Sequence, residues 1–181
     1  HRVDFERAGL STFGKHGNFF NRQIARWTKQ WHLSKMDDDI PEIDRLIEWL
    51  PANLPAGDQT TIVHGDFRTG NLLFEPEGLT GVLDWEFAHW GSPLEDLGWL
   101  CVRDWRFGAL DRAVGGLCRR APFVEAYTQR SGRAVSAQEL TFWEVYGNLR
   151  WAAGAILQGQ RVLVGPERDL ELLAIPWRAA E

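Results

Sequence analysis

Apolar side chains recur at helical spacing over most of this chain. Phe20, Ile24, Trp27 and Trp31 step by four, three and four residues, which lines them along one face of a helix opening at Asn18. A charged break from Lys35 to Asp39 interrupts the pattern. Pro41 suits the first turn of a second helix, where a missing N–H breaks no bond. Ile43, Leu46, Ile47 and Leu50 then follow the i, i+3, i+4, i+7 pattern until Pro51 and Pro55 stop it. Next the period changes. Thr60 to Val63 is short and β-branched, a strand leading into His64. Leu72-Leu73-Phe74 and Leu79 to Leu83 flank Glu75-Pro76-Glu77-Gly78, and two apolar runs about a four-residue turn predict a hairpin.

Helical signals resume at Ser92-Pro93-Leu94-Glu95, a capping box with Pro at the first helical position, for a helix running to about Trp105. Pro122 opens another helix, which ends near Gly132. Ser136 and Glu139 form a second capping box, which launches the longest helix, about 137 to 158. Gly147 and Gly154 lie inside it and cost roughly 1 kcal/mol each relative to Ala, so they mark close helix packing. A last short helix begins near Pro166. The predicted fold class is α+β, mostly α: about six helices around one small β-hairpin, with no room for a parallel sheet.

At 181 residues, 44% hydrophobic and 25% charged, the chain is long enough for one domain with a real core. A net charge of -5 gives no reason to expect nucleic acid or an anionic membrane as partner. No apolar run approaches the ~20 residues of a membrane span. The opening residues His1 to Asp4 lack the apolar stretch of a signal peptide, and the only Met is Met36. The chain therefore reads as a piece of something longer. Cys101 and Cys118 are too few for a disulfide framework and lack zinc-site spacing, so they read as core thiols of a cytoplasmic protein. Ten Trp are unusual; most read as core anchors, a few as lining for an apolar or planar substrate group.

The polar residues at the hairpin's open end carry the chemistry. Asp66 and Asn71 lie five positions apart on the loop after the first strand, and Asp84 follows the second apolar run of the hairpin, thirteen positions beyond Asn71. Antiparallel pairing brings Asn71 and Asp84 together opposite the turn. Phosphoryl transfer needs this set: one carboxylate to orient a hydroxyl nucleophile, and an amide oxygen with a carboxylate to hold Mg²⁺. Asp66 is the candidate base, against the alternative of a turn-capping loop Asp. Asn71 and Asp84 are the candidate metal ligands; Asn71 also suits a left-handed turn after Gly70, and a charge after a buried-looking strand needs a partner or a metal. Glu86 is either a further carboxylate or a solvated one. His64 reads as a brace that fixes loop backbone through a ring nitrogen. Arg68 either neutralises the transferring phosphate or forms a surface ion pair. Asp96, in the first turns of the capped helix, favours the positive end of that helix or accepts N–H bonds from the loop.

At these residues the chain resembles the aminoglycoside phosphotransferase family, part of the protein-kinase-like superfamily. The resemblance rests on H-G-D-x-x-x-x-N as His64-Gly65-Asp66 to Asn71, on D-W-E as Asp84-Trp85-Glu86, and on G-x-P-x-x-D-L as Gly91 to Leu97. Arg22-Gln23 and Ala25-Arg26-Trp27 further resemble the kinase-like domain associated with acyl-CoA dehydrogenases. The resemblance implies that Asp66 is the catalytic base, that Asn71 and Asp84 bind Mg²⁺, that Asp96 braces the catalytic loop, and that ATP is the co-substrate. It covers residues 1–181 as the C-terminal catalytic lobe only. Nothing before His64 looks like a Gly-rich hairpin or a strand with a central Lys, and Lys15 sits in a loop pattern. The N-terminal ATP-binding lobe is expected to be absent from the chain, which leaves the chain alone inactive and leaves room for an oligomer or a separate N-lobe partner.

The leading expectation is therefore a Mg²⁺- and ATP-dependent kinase acting on a hydroxyl of a small molecule. Asp37-Asp38-Asp39 and Glu42 would suit a polycationic acceptor if they lined the cleft, and the many Trp suit a less charged one. The alternative is a non-catalytic pseudokinase or interaction module. A metal hydrolase using His64, Asp66, Asp84 and His89 is a third reading, whose spacing matches no familiar two-metal pattern.

Overall fold

The computed structural model describes residues 1–14, 17, 19–34, 40–56 and 60–180. The expectations for Lys15, for a helix start at Asn18, for the break at Lys35 to Asp39 and for an acidic cluster at Asp37 to Asp39 fall outside the described residues.

Among the described residues, six helices and two small sheets follow one another. Helices α1 (Phe19–Ser34) and α2 (Pro41–Ala52) come first, then strands β1 (Thr61–Val63), β2 (Leu72–Glu75), β3 (Gly78–Val82) and β4 (His89–Gly91). Helices α3 (Pro93–Leu100), α4 (Arg120–Ser131), α5 (Ala137–Leu163) and α6 (Leu170–Ala180) complete the order. The α+β, mostly α expectation holds, with one addition. His89–Gly91 pairs antiparallel with Thr61–Val63 to make a second two-stranded sheet. Three residues are too few to show alternation, so only the pairing reveals this strand.

Several boundaries move. Pro51 lies inside the last turn of α2 and does not stop it. The hairpin turn is tighter than expected, since Glu75 pairs with Gly78 across Pro76-Glu77. Helix α3 stops at Leu100, and a separate 3₁₀ turn covers Arg103–Arg106. Ser92 does cap α3 by accepting the Leu94 N–H, but Glu95 closes no box because its carboxylate turns inward. The box at Ser136 and Glu139 is complete, and α5 runs five residues past its expected end, to Leu163. Helix α4 starts two residues before Pro122, and α6 begins at Leu170 instead of near Pro166.

Helix α5 is the spine, packed by α1, α2, α3 and α6. Trp31, Leu50, Leu140, Phe142, Trp143 and Leu149 are fully buried in that core. Trp90, Trp99 and Trp105 are buried too, whereas Trp49, Trp85 and Trp177 are exposed. The closest helix contact is at Gly98 of α3: a Cβ there would lie 2.6 Å from the Trp143 carbonyl carbon of α5. Gly147 is similarly tight, with a Cβ meeting Val102 at 2.8 Å. Gly154 faces open space, so the packing role expected for it is absent. Gly98→Ala is expected to destabilise by about 1–3 kcal/mol through overpacking against backbone. Gly154→Ala, with no clash and better helix propensity, is expected to gain up to about 1 kcal/mol. Urea unfolding midpoints of the two variants check both signs.

Candidate active site

The loop after β1 is fixed from three sides. Gly65 has φ +80°, and a Cβ there would run into the Phe87 carbonyl oxygen, so glycine is required on both counts. From below, the Asp96 carboxylate accepts the His64 N–H at 2.8 Å and the Gly65 N–H at 2.9 Å. Burial raises the Asp96 pKa above the ordinary carboxylate value, and the two N–H bonds pull it back only in part. His1 Nε2 also reaches Asp96, at 3.0 Å, while its other ring nitrogen meets the Tyr127 hydroxyl. From the hairpin side, the buried His64 ring links two segments. Its Nδ1 accepts the Asp66 N–H at 3.1 Å, and its Nε2 therefore donates to the Leu83 carbonyl at 2.7 Å. Both ring nitrogens are thus committed to backbone.

Asp66 is buried at the centre of this arrangement. Its Oδ2 accepts Asn71 Nδ2 at 2.7 Å and Arg68 Nε at 3.3 Å; its Oδ1 accepts Trp99 Nε1 at 2.8 Å. Asn71 Nδ2 also donates to the Asp66 carbonyl, at 2.9 Å. With its nitrogen so committed, no donor among the described residues engages Asn71 Oδ1. The Leu83 N–H donates to the Asn71 carbonyl at 2.8 Å, which holds Asn71 beside the end of β3 and one residue from Asp84. The open-end geometry expected of the hairpin is therefore present.

Asp84 differs from its expectation in burial. Strand β3 is largely exposed, and so are Asp84 and Glu86. No desolvation forces a partner on Asp84, and among the described residues no donor engages its carboxylate. Its backbone is left-handed, at φ 65° and ψ 58°. An Asp tolerates this conformation better than most residues, at a cost on the order of 1 kcal/mol. Arg68 is half-buried, stacked over Trp105 at 5.1 Å and paired with Asp66. It is neither a simple surface ion pair nor a free cation.

A buried charge cluster behind the loop escaped the sequence reading. Glu95, 2% exposed, takes His89 Nε2 at 3.1 Å on one oxygen and Arg150 Nη1 at 3.5 Å on the other. The Arg150 guanidinium lies 4.3 Å over the Trp99 ring. Glu95 occupied a capping-box position, Arg150 sat in the middle of a long helix, and Trp99 looked like a core anchor. The available signal was spacing: Trp99 follows Asp96 by three residues, on the same helix face. Burial alone would lower the His89 pKa, but the Glu95 carboxylate outweighs it and the net shift is upward. A raised folded-state value gives stability that is fully present below the unfolded value of about 6.5 and lost as pH rises through the folded one. The stability difference between wild type and His89→Gln is therefore expected to be widest near pH ~5.5 and to shrink by pH ~8, which thermal melts at the two pH values check.

The metal-hydrolase reading finds no support in this geometry. Both ring nitrogens of His64 are taken by backbone, and His89 binds the Phe87 carbonyl and Glu95. Among the described residues there is no group of three or more His, Cys, Asp or Glu able to hold a metal. Cys101 is a buried free thiol whose pKa burial pushes up to about 11, in keeping with an inert core residue.

An open cavity of about 820 Å³ lies beyond the loop, lined by Ile43, Leu46, Arg103, Phe107, Leu110 and Trp151 among others. Asp66 does not line it. The two are joined through aromatic contacts: Trp151 lies 4.5 Å from Trp105, and Trp105 carries Arg68.

The sequence profile of the phosphotransferase enzyme family, which includes the aminoglycoside phosphotransferases, matches residues 1–133. The chain belongs to this family. Among solved structures, this phosphotransferase-family chain superposes on a protein from Ralstonia eutropha described as an aminoglycoside phosphotransferase. The TM-score is 0.83 at 37% identity, covering 98% of this chain and 56% of that one. It shares its fold with choline kinase from Streptococcus pneumoniae, with a TM-score of 0.56 at 15% identity over 93% of this chain and 55% of that one. Among curated sequences, it is 37% identical over 173 residues to Probable acyl-CoA dehydrogenase IBR3 of Arabidopsis thaliana, covering 84% of this chain and 21% of that protein. It is 44% identical over 104 residues to Acyl-CoA dehydrogenase family member 10 of Mus musculus, covering 56% of this chain and 10% of that protein. The chain thus spans about half the length of the solved relatives and about a fifth and a tenth of these curated ones. Among the described residues no helix is long and apolar enough to cross a membrane.

Proposed function

We propose that the protein containing this chain is a small-molecule kinase that moves the γ-phosphate of ATP to a hydroxyl, with residues 1–181 as its C-terminal catalytic lobe. The observation that carries this reading is the fixed Asp66 carboxylate, hydrogen-bonded to Asn71, with Asn71 tied by its carbonyl to the N–H of Leu83, the residue before Asp84. Asp66 orients the acceptor hydroxyl and takes its proton. The Asn71 amide oxygen and the unpaired Asp84 carboxylate are hard oxygen donors, the kind Mg²⁺ takes when phosphates supply most of the charge. When bound, the ion would neutralise charge on the phosphates. His64 and Asp96 hold the loop in place. Arg68, fixed by Trp105 and Asp66, faces charge that develops on the transferring phosphate.

Two further features bear on this reading. Leu73, Phe74, Leu79, Leu83 and Trp85 are exposed on and beside the hairpin, an apolar face of the kind a nucleotide and the lobe that holds it would cover. The cavity beyond the loop is mostly apolar, with Glu42, Arg103 and Asp104 on its wall, and since Asp66 does not line it, an acceptor body held there would have to extend past Trp105 to bring a hydroxyl to the base.

A non-catalytic module is the second reading, favoured for the chain alone by its lack of a Gly-rich hairpin and a strand Lys. Acceptor-dependent ADP release separates the two. The protein containing this chain is expected to release ADP with at least one class of hydroxyl compound, and the isolated chain to release none. ATP binding without transfer to any hydroxyl in a broad panel would favour the non-catalytic reading.

A further inference from the structure

Asp66 is a carboxylate with about four lone-pair sites, two on each oxygen. Oδ2 receives two donors, Asn71 Nδ2 and Arg68 Nε, and is full. Oδ1 receives one, Trp99 Nε1 at 2.8 Å. One site on Oδ1 is left, and a hydroxyl arriving at this carboxylate is received there. We propose that Trp99 is a positioning residue for the reaction: its indole N–H fixes Oδ1 as the oxygen that accepts the proton of the acceptor hydroxyl. The inference rests on the phosphotransferase reading given above and names an atom and a residue within it.

The chemistry of indole suits the task. Its N–H is a donor only, so it can hold a carboxylate oxygen without competing for the proton that oxygen is to receive. Asn or Ser in its place could accept as well as donate. The ring is itself held. Trp99 is 5% exposed, Trp105 packs on it at 5.5 Å, and the Arg150 guanidinium lies 4.3 Å over its face, tied to buried Glu95. A cation over an indole face draws electron density from the ring and strengthens the N–H as a donor. The buried surroundings strengthen the bond further. In the transfer step the hydroxyl O–H bond breaks and its proton goes to Oδ1. The oxygen forms its bond to the γ-phosphorus as the P–O bond to the departing ADP breaks.

The test uses two replacements in the protein containing this chain: Trp99→Phe, and the benzothienyl analogue of tryptophan at position 99, which keeps the ring shape with sulfur in place of N–H. Both are expected to lower kcat on the order of 10- to 100-fold with KM for ATP and acceptor within about twofold, the pattern of a misplaced reacting group. Full kcat in the benzothienyl protein would overturn the proposal even if Trp99→Phe folds poorly. In the 181-residue chain, the Trp99 indole N–H resonance is expected to exchange slowly and to shift strongly in Asp66→Ala. A fast-exchanging signal that ignores Asp66→Ala would overturn it as well. If Asp66→Ala abolishes transfer while the benzothienyl protein is unimpaired, only the Trp99 inference falls. If Asp66→Ala leaves transfer intact, the base assignment falls and the inference falls with it.

Discussion

Asp66→Ala is expected to lower phosphate transfer by at least ~100-fold in the protein containing this chain, as loss of a positioned general base would. The magnitude follows from how completely the site is organised around this carboxylate. Asn71, Arg68 and Trp99 all donate to it, and His64 holds its backbone N–H. None of the three side-chain donors can replace it, since an amide N–H, a guanidinium and an indole N–H supply protons and do not accept them. Asp66→Asn is the sharper control for shape. It keeps the volume but places an NH₂ where one of the donors points, so its rate is expected to fall as far. Steady-state kcat/KM for wild type and both variants checks the prediction. Wild-type-like turnover in either variant would remove Asp66 from the chemistry.

Glu95→Ala carries the largest expected effect on stability, a loss of about 3–5 kcal/mol. Glu95 balances Arg150, whose side chain is 10% exposed and whose guanidinium lies against Trp27, Phe87 and Trp99. Removing the carboxylate leaves that cation buried with aromatic faces alone. Against a typical total stability of ~5–15 kcal/mol, the loss is severe. Removing both charges is expected to rescue stability: in Glu95→Leu with Arg150→Met the pair is gone, and most of the loss returns. Urea unfolding of the two single variants and the double variant measures the coupling. Additive losses would mean that the pair is not the source of the effect.

The candidate site was more legible in the sequence than the framework behind it. Asp66, Asn71 and Asp84 stood out because polar residues at the end of apolar runs need a reason, and hairpin pairing alone brought Asn71 and Asp84 together. His64 and Asp96 were legible as braces, and their bonds to the loop and to Leu83 are of that kind. The inner support was not legible. Glu95, Arg150, His89 and Trp99 come from three separate elements, and only folding puts them in contact. Local patterning assigned Glu95 to a cap because spacing reports what a helix end can use, not which way a side chain turns once a buried cation lies beside it. Strand β4 was missed for the same reason: its three residues are specified by pairing with Thr61–Val63, not by their own alternation. The apolar character of the hairpin also misled. It signalled buried strands, yet they are exposed at Leu73, Phe74 and Leu79.

The loop and the hairpin together are expected to hold one divalent cation beside the base. Mn²⁺ in place of Mg²⁺, bound with ATP to the protein containing this chain, tests it most directly by electron–nuclear double resonance with ¹³C-labelled Asn and Asp side-chain carbons. Coupling to one Asn and at least one Asp carbon is expected, with the Asn signal lost in Asn71→Ala and an Asp signal lost in Asp84→Ala. Couplings that persist unchanged in both variants would contradict it.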